Sequence, residues 1–304
     1  MLVFSDGAFA RHLVPEGHPE RPERMAAVAR GLVGLMVEER PAPLVAEAEL
    51  LRCHPADYVA RLKAALPATG LRAIDGDTWL SPGSWEAGLR AVGGACAAVD
   101  AVLGGEARAA FVAARPPGHH AEAAVAMGFC LFGTVAIAAK RALDLHGLSR
   151  VAVLDFDVHH GNGTQDLLWD EARVRFVSSQ QMPLFPGTGY ADERGAHQQI
   201  TNLPLRPGSD GRAMWAAWAP ELARLRDWQP QLILLSAGFD AHIDDPLGGL
   251  GWTTADFARL TRAIADLAVG CGAGVVSCLE GGYDPGALED TVRAHVSELS
   301  RTLR

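Results

Sequence analysis

Positive charge is sparse in this 304-residue chain and never gathered. Lys and Arg number 27 against 36 Asp and Glu, the net charge is −9, and no Lys/Arg run exceeds two residues. A basic footprint for nucleic acid is missing, so direct DNA binding is not expected. Cysteine is scarce too. Cys53, Cys96, Cys130, Cys271 and Cys278 are odd in number and contain no C-x-x-C pair. That pattern argues against a disulfide framework and fits reduced thiols in a cytoplasmic protein. The opening MLVFSDGAFARH has no basic stretch leading into a long apolar run, so no signal peptide is expected. No apolar stretch is long enough to span a membrane. Linkers, repeats and low-complexity segments are lacking as well.

What remains is 49% hydrophobic and 21% charged, enough for a sizeable core. Apolar runs predict strands at Leu2 to Phe4, Ala109 to Ala113, Val151 to Asp155, Val174 to Ser178, Gln231 to Ser236 and Gly274 to Leu279. Helical patterns are expected at Glu23 to Val37, Pro55 to Leu66, from Pro82 onward, Leu131 to Leu145, briefly after Asn162, then Asp210 to Trp228, Thr253 to Val269 and Ala287 to Leu303. This repeated strand, loop, helix order argues an α/β protein with a parallel sheet covered on both faces. One domain over residues 1–304 accounts for it. Four of the strands run into polar or Gly-rich segments: RPPGHHA, DFDVHHGN, SAGFDAHIDD and LEGGYD. In a parallel sheet those ends share one edge, which is where open α/β sheets place ligands.

The stretch VAVLDFDVHHGNGT, Val151 to Thr164, organises the rest. It starts as a buried strand and ends in Asp155, Asp157, His159, His160 and Asn162. Strand alternation would put Asp155, Asp157 and His159 on one side. Asp157 and His159 then form a local ligand pair, with Asp240 the best third ligand from another strand end. One imidazole and two carboxylates with open positions suit a catalytic metal, Zn²⁺, Fe²⁺ or Mn²⁺. The plainer reading of Asp157, a helix N-cap, leaves His159 unexplained.

His119 and His120 follow a rigid Pro-Pro-Gly turn. Each needs a partner on its second nitrogen, and Asp155 and Asn162 are available. A His paired with Asp is held cationic and a His paired with neutral Asn stays a free base, so the two can divide acid and base roles. Tyr283, one of three tyrosines, follows two glycines and could hydrogen-bond an oxygen that becomes negative during attack on a carbonyl. Phe129, after Gly128, and Phe185, in LFPGTG, could hold a methylene chain at the rim or meet an alkyl cation with their faces. Isolated phenylalanines are more often core residues; a buried tyrosine closes a loop about as often as it serves a site, and the company Tyr283 keeps favours the site.

As an ordered set, RPPGHHA, GFC, DFDVHHGNGT, SAGFDAHIDDPLGG and LEGGYD resemble the zinc-dependent histone deacetylase and acetylpolyamine amidohydrolase family. HPERPER and DTWLSPGSWEAG are similar to its class II and bacterial members, and the composition looks bacterial. The resemblance runs from about His18 to Asp284. It implies a three-layer αβα, arginase/deacetylase-like fold with an eight-stranded parallel sheet. It implies Zn²⁺ (Fe²⁺ being possible) on Asp157, His159 and Asp240, and K⁺ on Asp155, Ser178 and the carbonyls of Asp157 and His159. His120 would be the general base paired with Asn162, and His119 would pair with Asp155. Tyr283 would polarise the acetyl carbonyl. Phe129 and Phe185 would form the tunnel, with Gly128, Gly282, Asp77 and Leu247 also at the substrate site. Arg24 resembles the arginine of an internal acetate channel.

The implied reaction removes acetyl from acetyl-lysine in a protein or peptide, releasing acetate. A small acetylated amine is the alternative substrate, and a non-catalytic binder of acetylated ligands a further reading. Leu247 is apolar where polyamine-selective relatives tend to carry an acidic gatekeeper, which favours acyl-lysine. Gln180 stands where many relatives have His, outside the catalytic set. Arginase-like ureohydrolysis would need a two-metal cluster and more ligands than these.

Overall fold

The computed structural model describes residues 1–303. Arg304, the last residue of the domain expected from sequence, lies outside the described residues. The strands are β1 (Leu2–Ser5), β2 (Glu38–Pro41), β3 (Arg72–Ala73), β4 (Trp79–Leu80), β5 (Ala109–Val112), β6 (Val151–Asp155), β7 (Val174–Gln181), β8 (Ile200–Leu205), β9 (Leu232–Ala237) and β10 (Gly274–Leu279). The helices are α1 (Glu23–Leu32), α2 (Glu47–Leu50), α3 (Ala56–Ala64), α4 (Ser84–Leu103), α5 (Thr134–Asp144), α6 (Asn162–Leu167), α7 (Gly211–Trp228), α8 (Thr254–Cys271) and α9 (Pro285–Thr302).

Eight strands form one sheet in the order β2-β1-β5-β10-β9-β6-β7-β8, and every neighbouring pair is parallel. β3 and β4 form a separate antiparallel pair. The inner strands are buried on both faces, and their side chains alternate between two cores. Val3, Phe111, Leu154, Ile233, Leu235 and Val275 join the core that includes residues of α1, α7, α8 and α9. Phe4, Val112, Val153, Leu234 and Val276 join a second core with residues of α4 and α5. This explains why these strands read as unbroken apolar runs.

The sequence patterns predict six strands of the sheet, while the two further ones, β2 and β8, are its edges. β2 is EERP and largely exposed; β8 carries Pro204. Charge and proline belong at sheet edges, where one row of backbone groups has no partner strand, and both mask the strand signal. Another difference concerns α1, which ends at Leu32 and not at Val37. Gly34 takes a left-handed conformation (φ 80°) that stops the helix and turns the chain back toward β2.

α8 and α9 pack against one another through His295, which is fully buried. Its Nδ1 meets Thr261 Oγ1 at 2.7 Å and its Nε2 meets Ser277 Oγ at 2.9 Å. Burial pulls its pKa from 6.5 to about 3. The folded chain therefore refuses a proton that the unfolded chain accepts below 6.5. Stability from this group is complete above pH 6.5 and is lost as pH falls from there toward 3. Melting temperatures measured across that window should fall less steeply for His295→Gln than for the parent protein; equal slopes would remove His295 from the acid response.

The five cysteines are free. Among the described residues, no helix is long and apolar enough to cross a membrane.

Candidate active site

The four strands with polar extensions, β5, β10, β9 and β6, are consecutive in the sheet. Their C-terminal loops therefore meet over its centre. The local path after β6 differs from the strand alternation expected from sequence. β6 ends at Asp155, and consecutive side-chain turns follow: Asp155 Oδ1 accepts from Asp157 N at 3.1 Å, and Asp157 Oδ1 accepts from His159 N at 2.9 Å. Each short carboxylate folds the backbone back on itself, and this brings the three side chains together.

Asp157, His159 and Asp240 offer one donor atom each, all within 4.8 Å of one another. His159 Nδ1 lies 3.1 Å from Asp157 Oδ1 and 3.1 Å from Asp240 Oδ2. The other carboxylate oxygens are held by backbone: Asp240 Oδ1 accepts from Val158 N, and Asp157 Oδ2 from Gly281 N, both at 2.9 Å. Gly238 and Gly281 complete the cradle. A methyl group on Gly238 would strike Asp157, and one on Gly281 would strike Asp240 and Asp157.

The electrostatics of this cluster call for positive charge. Burial and the neighbouring Asp157 charge push Asp240 up to about 7. His159 is driven to about 10, because Asp157 and Asp240 together outweigh the burial that opposes its charge. Two dry carboxylates sharing one imidazole nitrogen, with their remaining oxygens already oriented, are a donor set that fits a small divalent cation.

Beside it, the His119 and His120 rings lie 4.0 Å apart between centroids, tilted by 44° to one another. His119 Nδ1 lies 3.0 Å from Asp155 Oδ2, and its Nε2 lies 3.8 Å from Asp157 Oδ2. Burial opposes its charge, but Asp157 and Asp155 prevail and raise its pKa well above 6.5. His120 Nδ1 lies 2.7 Å from Asn162 Oδ1. Burial and the charges of His119 and His159 lower its pKa well below 6.5. Adjacent residues are thus held in opposite protonation states.

At the rim, the Phe129 ring stands 5.9 Å from Tyr283 and 4.8 Å from His18. Phe185, 40% exposed, stands 5.1 Å from His120 and 6.4 Å from His159. Phe129 holds φ 69°, rare for an aromatic residue, and its N–H donates to Thr78 Oγ1 at 3.1 Å. Gly128 before it packs so tightly on His120 that a side chain would collide with the imidazole. Asp77 accepts from Thr78 Oγ1 at 3.1 Å and its carbonyl meets His18 Nε2 at 2.9 Å. Leu247, half-buried, donates its N–H to Asp245 Oδ1 at 3.0 Å.

Tyr283 is buried. Burial pushes its phenol well above 10; Arg24 opposes this, while Asp240 and Asp157 add to it. The Arg24 guanidinium lies 4.9 Å from the Tyr283 ring. It also donates to the carbonyls of Gly282 at 2.7 Å and Glu280 at 2.5 Å, and to Glu20 Oε1 at 3.0 Å. Asp155 and Ser178 sit side by side across β6 and β7, and Ser178 Oγ donates to Gln180 Oε1 at 3.1 Å.

Several members of this assembly escape a reading of the sequence. Glu280 is fully buried; its Oε2 accepts from Gly118 N at 2.6 Å and His119 N at 3.1 Å, fixing the histidine turn. Asp245 Oδ2 accepts from Tyr283 N at 2.6 Å and holds the tyrosine loop. Glu20 accepts three hydrogen bonds from Arg115, two at its carboxylate (2.6 and 2.7 Å) and one at its carbonyl (3.1 Å). A charge placed among prolines or glycines just after an apolar strand is the one sequence signal that could have flagged Arg115 and Glu280. His160, by contrast, turns away to Thr188 Oγ1 (2.8 Å) and Gln165 Oε1 (3.1 Å), and burial lowers it to about 4. It braces the loop that carries Phe185.

Comparison with known proteins agrees with this architecture. The family model for the histone deacetylase domain matches residues 18–299. A histone deacetylase-like amidohydrolase from Pseudomonas aeruginosa is 38% identical over 311 residues, covering 98% of this chain and 81% of its own. The crystal structure of the HDA15 HD domain superposes with a TM-score of 0.92 at 30% identity, over 99% of this chain and 91% of that one. The crystal structure of an acetylpolyamine aminohydrolase from Burkholderia pseudomallei gives 0.86 at 30% identity, over 99% and 98%. With its sheet, its strand-end loops and this match over nearly its full length, the chain belongs to the histone deacetylase family.

Proposed function

We propose that this protein is a metal-dependent amidohydrolase that removes acetyl from the side-chain amine of acetyl-lysine in a protein or peptide. The observation that carries this reading is the buried Asp157–His159–Asp240 donor set beside two histidines held in opposite charge states. Those three residues would hold Zn²⁺ or Fe²⁺. Such an ion, when bound, would supply polarisation of the acetyl carbonyl and acidification of a water molecule. Asp155, Ser178 and the carbonyls of Asp157 and His159 would hold K⁺.

His120 is neutral, with Nδ1 turned to Asn162, and so accepts the water proton at Nε2. His119, kept cationic by Asp155 and Asp157, places positive charge next to the reacting group. Tyr283, kept protonated, donates a hydrogen bond to the acetyl oxygen as negative charge builds there. The carbon–nitrogen bond breaks as His120 passes its proton to the amine nitrogen. Acetate and free amine leave, and Arg24 sits under Tyr283 where the acetate would depart.

Phe129 and Phe185 would flank the methylene chain, with Gly128 and Gly282 allowing its close approach. Asp77 would hold the substrate backbone at the mouth. Leu247 puts no charge at that mouth, which favours the neutral environment of an acyl-lysine chain over a cationic polyamine. A small acetylated amine is the second reading, supported by the likeness to the Burkholderia acetylpolyamine aminohydrolase.

Acetate release from an acetyl-lysine peptide and from N-acetylputrescine, before and after metal stripping, tests both. The stripped protein is expected to be inactive, and added Zn²⁺ to restore turnover of the peptide. Release from the diamine alone would move the substrate to polyamines. Undiminished release after complete stripping would sink the metal-dependent mechanism.

A further inference from the structure

Asn162 can meet His120 with either end of its amide, and the two choices have opposite chemistry. With Oδ1 forward, the imidazole carries its proton on Nδ1 and keeps Nε2 as a lone-pair base. With Nδ2 forward, the imidazole must accept at Nδ1, and Nε2 becomes a donor unable to take a proton. Nothing in Asn162 or His120 themselves decides between them. The deciding contact lies behind the amide: Asn162 Nδ2 donates to Glu122 Oε1 at 2.8 Å. A carboxylate only accepts, so the –NH₂ end must face it. The weaker contacts of Nδ2, to Met127 Sδ at 3.4 Å and the His120 carbonyl at 3.5 Å, point the same way but leave that end loosely held.

Glu122 is itself well placed. Its N–H donates to Val125 O at 3.0 Å. The next residue is pinned on both sides, with Ala123 N donating to Asp166 Oδ2 at 2.9 Å and Ala123 O meeting His54 Nδ1 at 3.0 Å. Asn162 begins α6, whose Thr164 N–H donates to His119 O at 3.0 Å. The loop that carries Glu122 and the helix that carries Asn162 are thus fastened directly to each other on both sides of the clamp.

We infer that Glu122 is a positioning residue that acts through Asn162 to lock His120 in the Nδ1–H tautomer, with Nε2 open to the substrate. This rests on His120 being the base proposed above. The test separates the two claims by reading the tautomer directly. Long-range ¹H–¹⁵N spectra of the Zn²⁺-loaded protein, with the His120 signals assigned by their loss in His120→Gln, report which ring nitrogen carries the proton. Turnover of an acetyl-lysine peptide is measured on the same samples.

Glu122→Gln offers a carbonyl in the carboxylate's place and is expected to keep the tautomer and most of kcat. Glu122→Lys puts a donor there and turns the amide round. The expected result is a His120 protonated at Nε2 and kcat lower by about tenfold to a hundredfold at nearly constant KM. A Glu122→Lys protein that kept the proton on Nδ1 would overturn the inference, as would a Gln variant as impaired as the Lys variant. A switched tautomer with unchanged kcat would support the clamp and remove His120 from the role of base.

Discussion

His120→Ala should lower kcat for acetyl-lysine hydrolysis by about 10²- to 10⁴-fold, the range for losing a positioned general base. KM should change little, because in the proposed mechanism the ring meets the reacting water and not the substrate's methylene chain. The fold should survive. His120 Nδ1 makes one side-chain bond, to Asn162, and the turn that carries it is held independently by Glu280. The pH profile gives a second measure. His120 is held neutral well below the usual histidine range, so the parent enzyme should keep its activity as pH falls through 6.5 and lose it only further down, when Nε2 protonates. Near-parental turnover in His120→Ala, measured as acetate released, would reassign the base.

Tyr283→Phe should reduce kcat by about 10²- to 10³-fold, the usual cost of removing one donor to a developing oxyanion. The ring would still pack between Phe129 and Arg24. The backbone N–H would still be held by Asp245. The only group lost is the hydroxyl, so binding of a non-hydrolysable acetyl-lysine analogue, read by calorimetry, should stay within a few-fold of the parent while turnover collapses. Equal losses in binding and turnover would mean that the hydroxyl serves the ground state, and the proposed role would fall.

The inner strands were legible because residues such as Val153, Leu154, Ile233 and Leu234 are buried on both faces and leave nothing polar to break the run. The edges were not, because Glu38–Pro41 is largely exposed and Pro204 interrupts the other. Much the same division holds at the site. Asp157, His159 and the histidine pair stand next to apolar strands as conspicuous polar clusters. Strand alternation was the wrong reason for expecting Asp155, Asp157 and His159 together; side-chain-to-backbone turns gather them. Glu280, Asp245 and Glu122 were silent because their partners lie far along the chain. The bond from Gly118 to Glu280 spans 162 residues, and that from Asn162 to Glu122 spans 40. A position such as that of Glu280, after an apolar strand and before two glycines, can mark an acidic residue as unusual, but nothing local names the group it will hold.

The strand order has a consequence for how the molecule comes into being. β10 is the last strand in the chain, yet it lies in the middle of the sheet between β5 and β9. Without β10 the strands can pair only as two groups, β2-β1-β5 and β9-β6-β7-β8, with an open slot between them. Their facing edges display unpaired backbone, the state in which large proteins are most exposed to wrong pairings. Insertion of Gly274–Leu279 closes the slot, and the same event delivers Glu280 to the histidine turn, Gly281 to Asp157 and Tyr283 to the rim. The strand that joins the two halves of the sheet is thus also the one that brings Glu280, Gly281 and Tyr283 to the candidate site, so the sheet and the site are completed by the same segment.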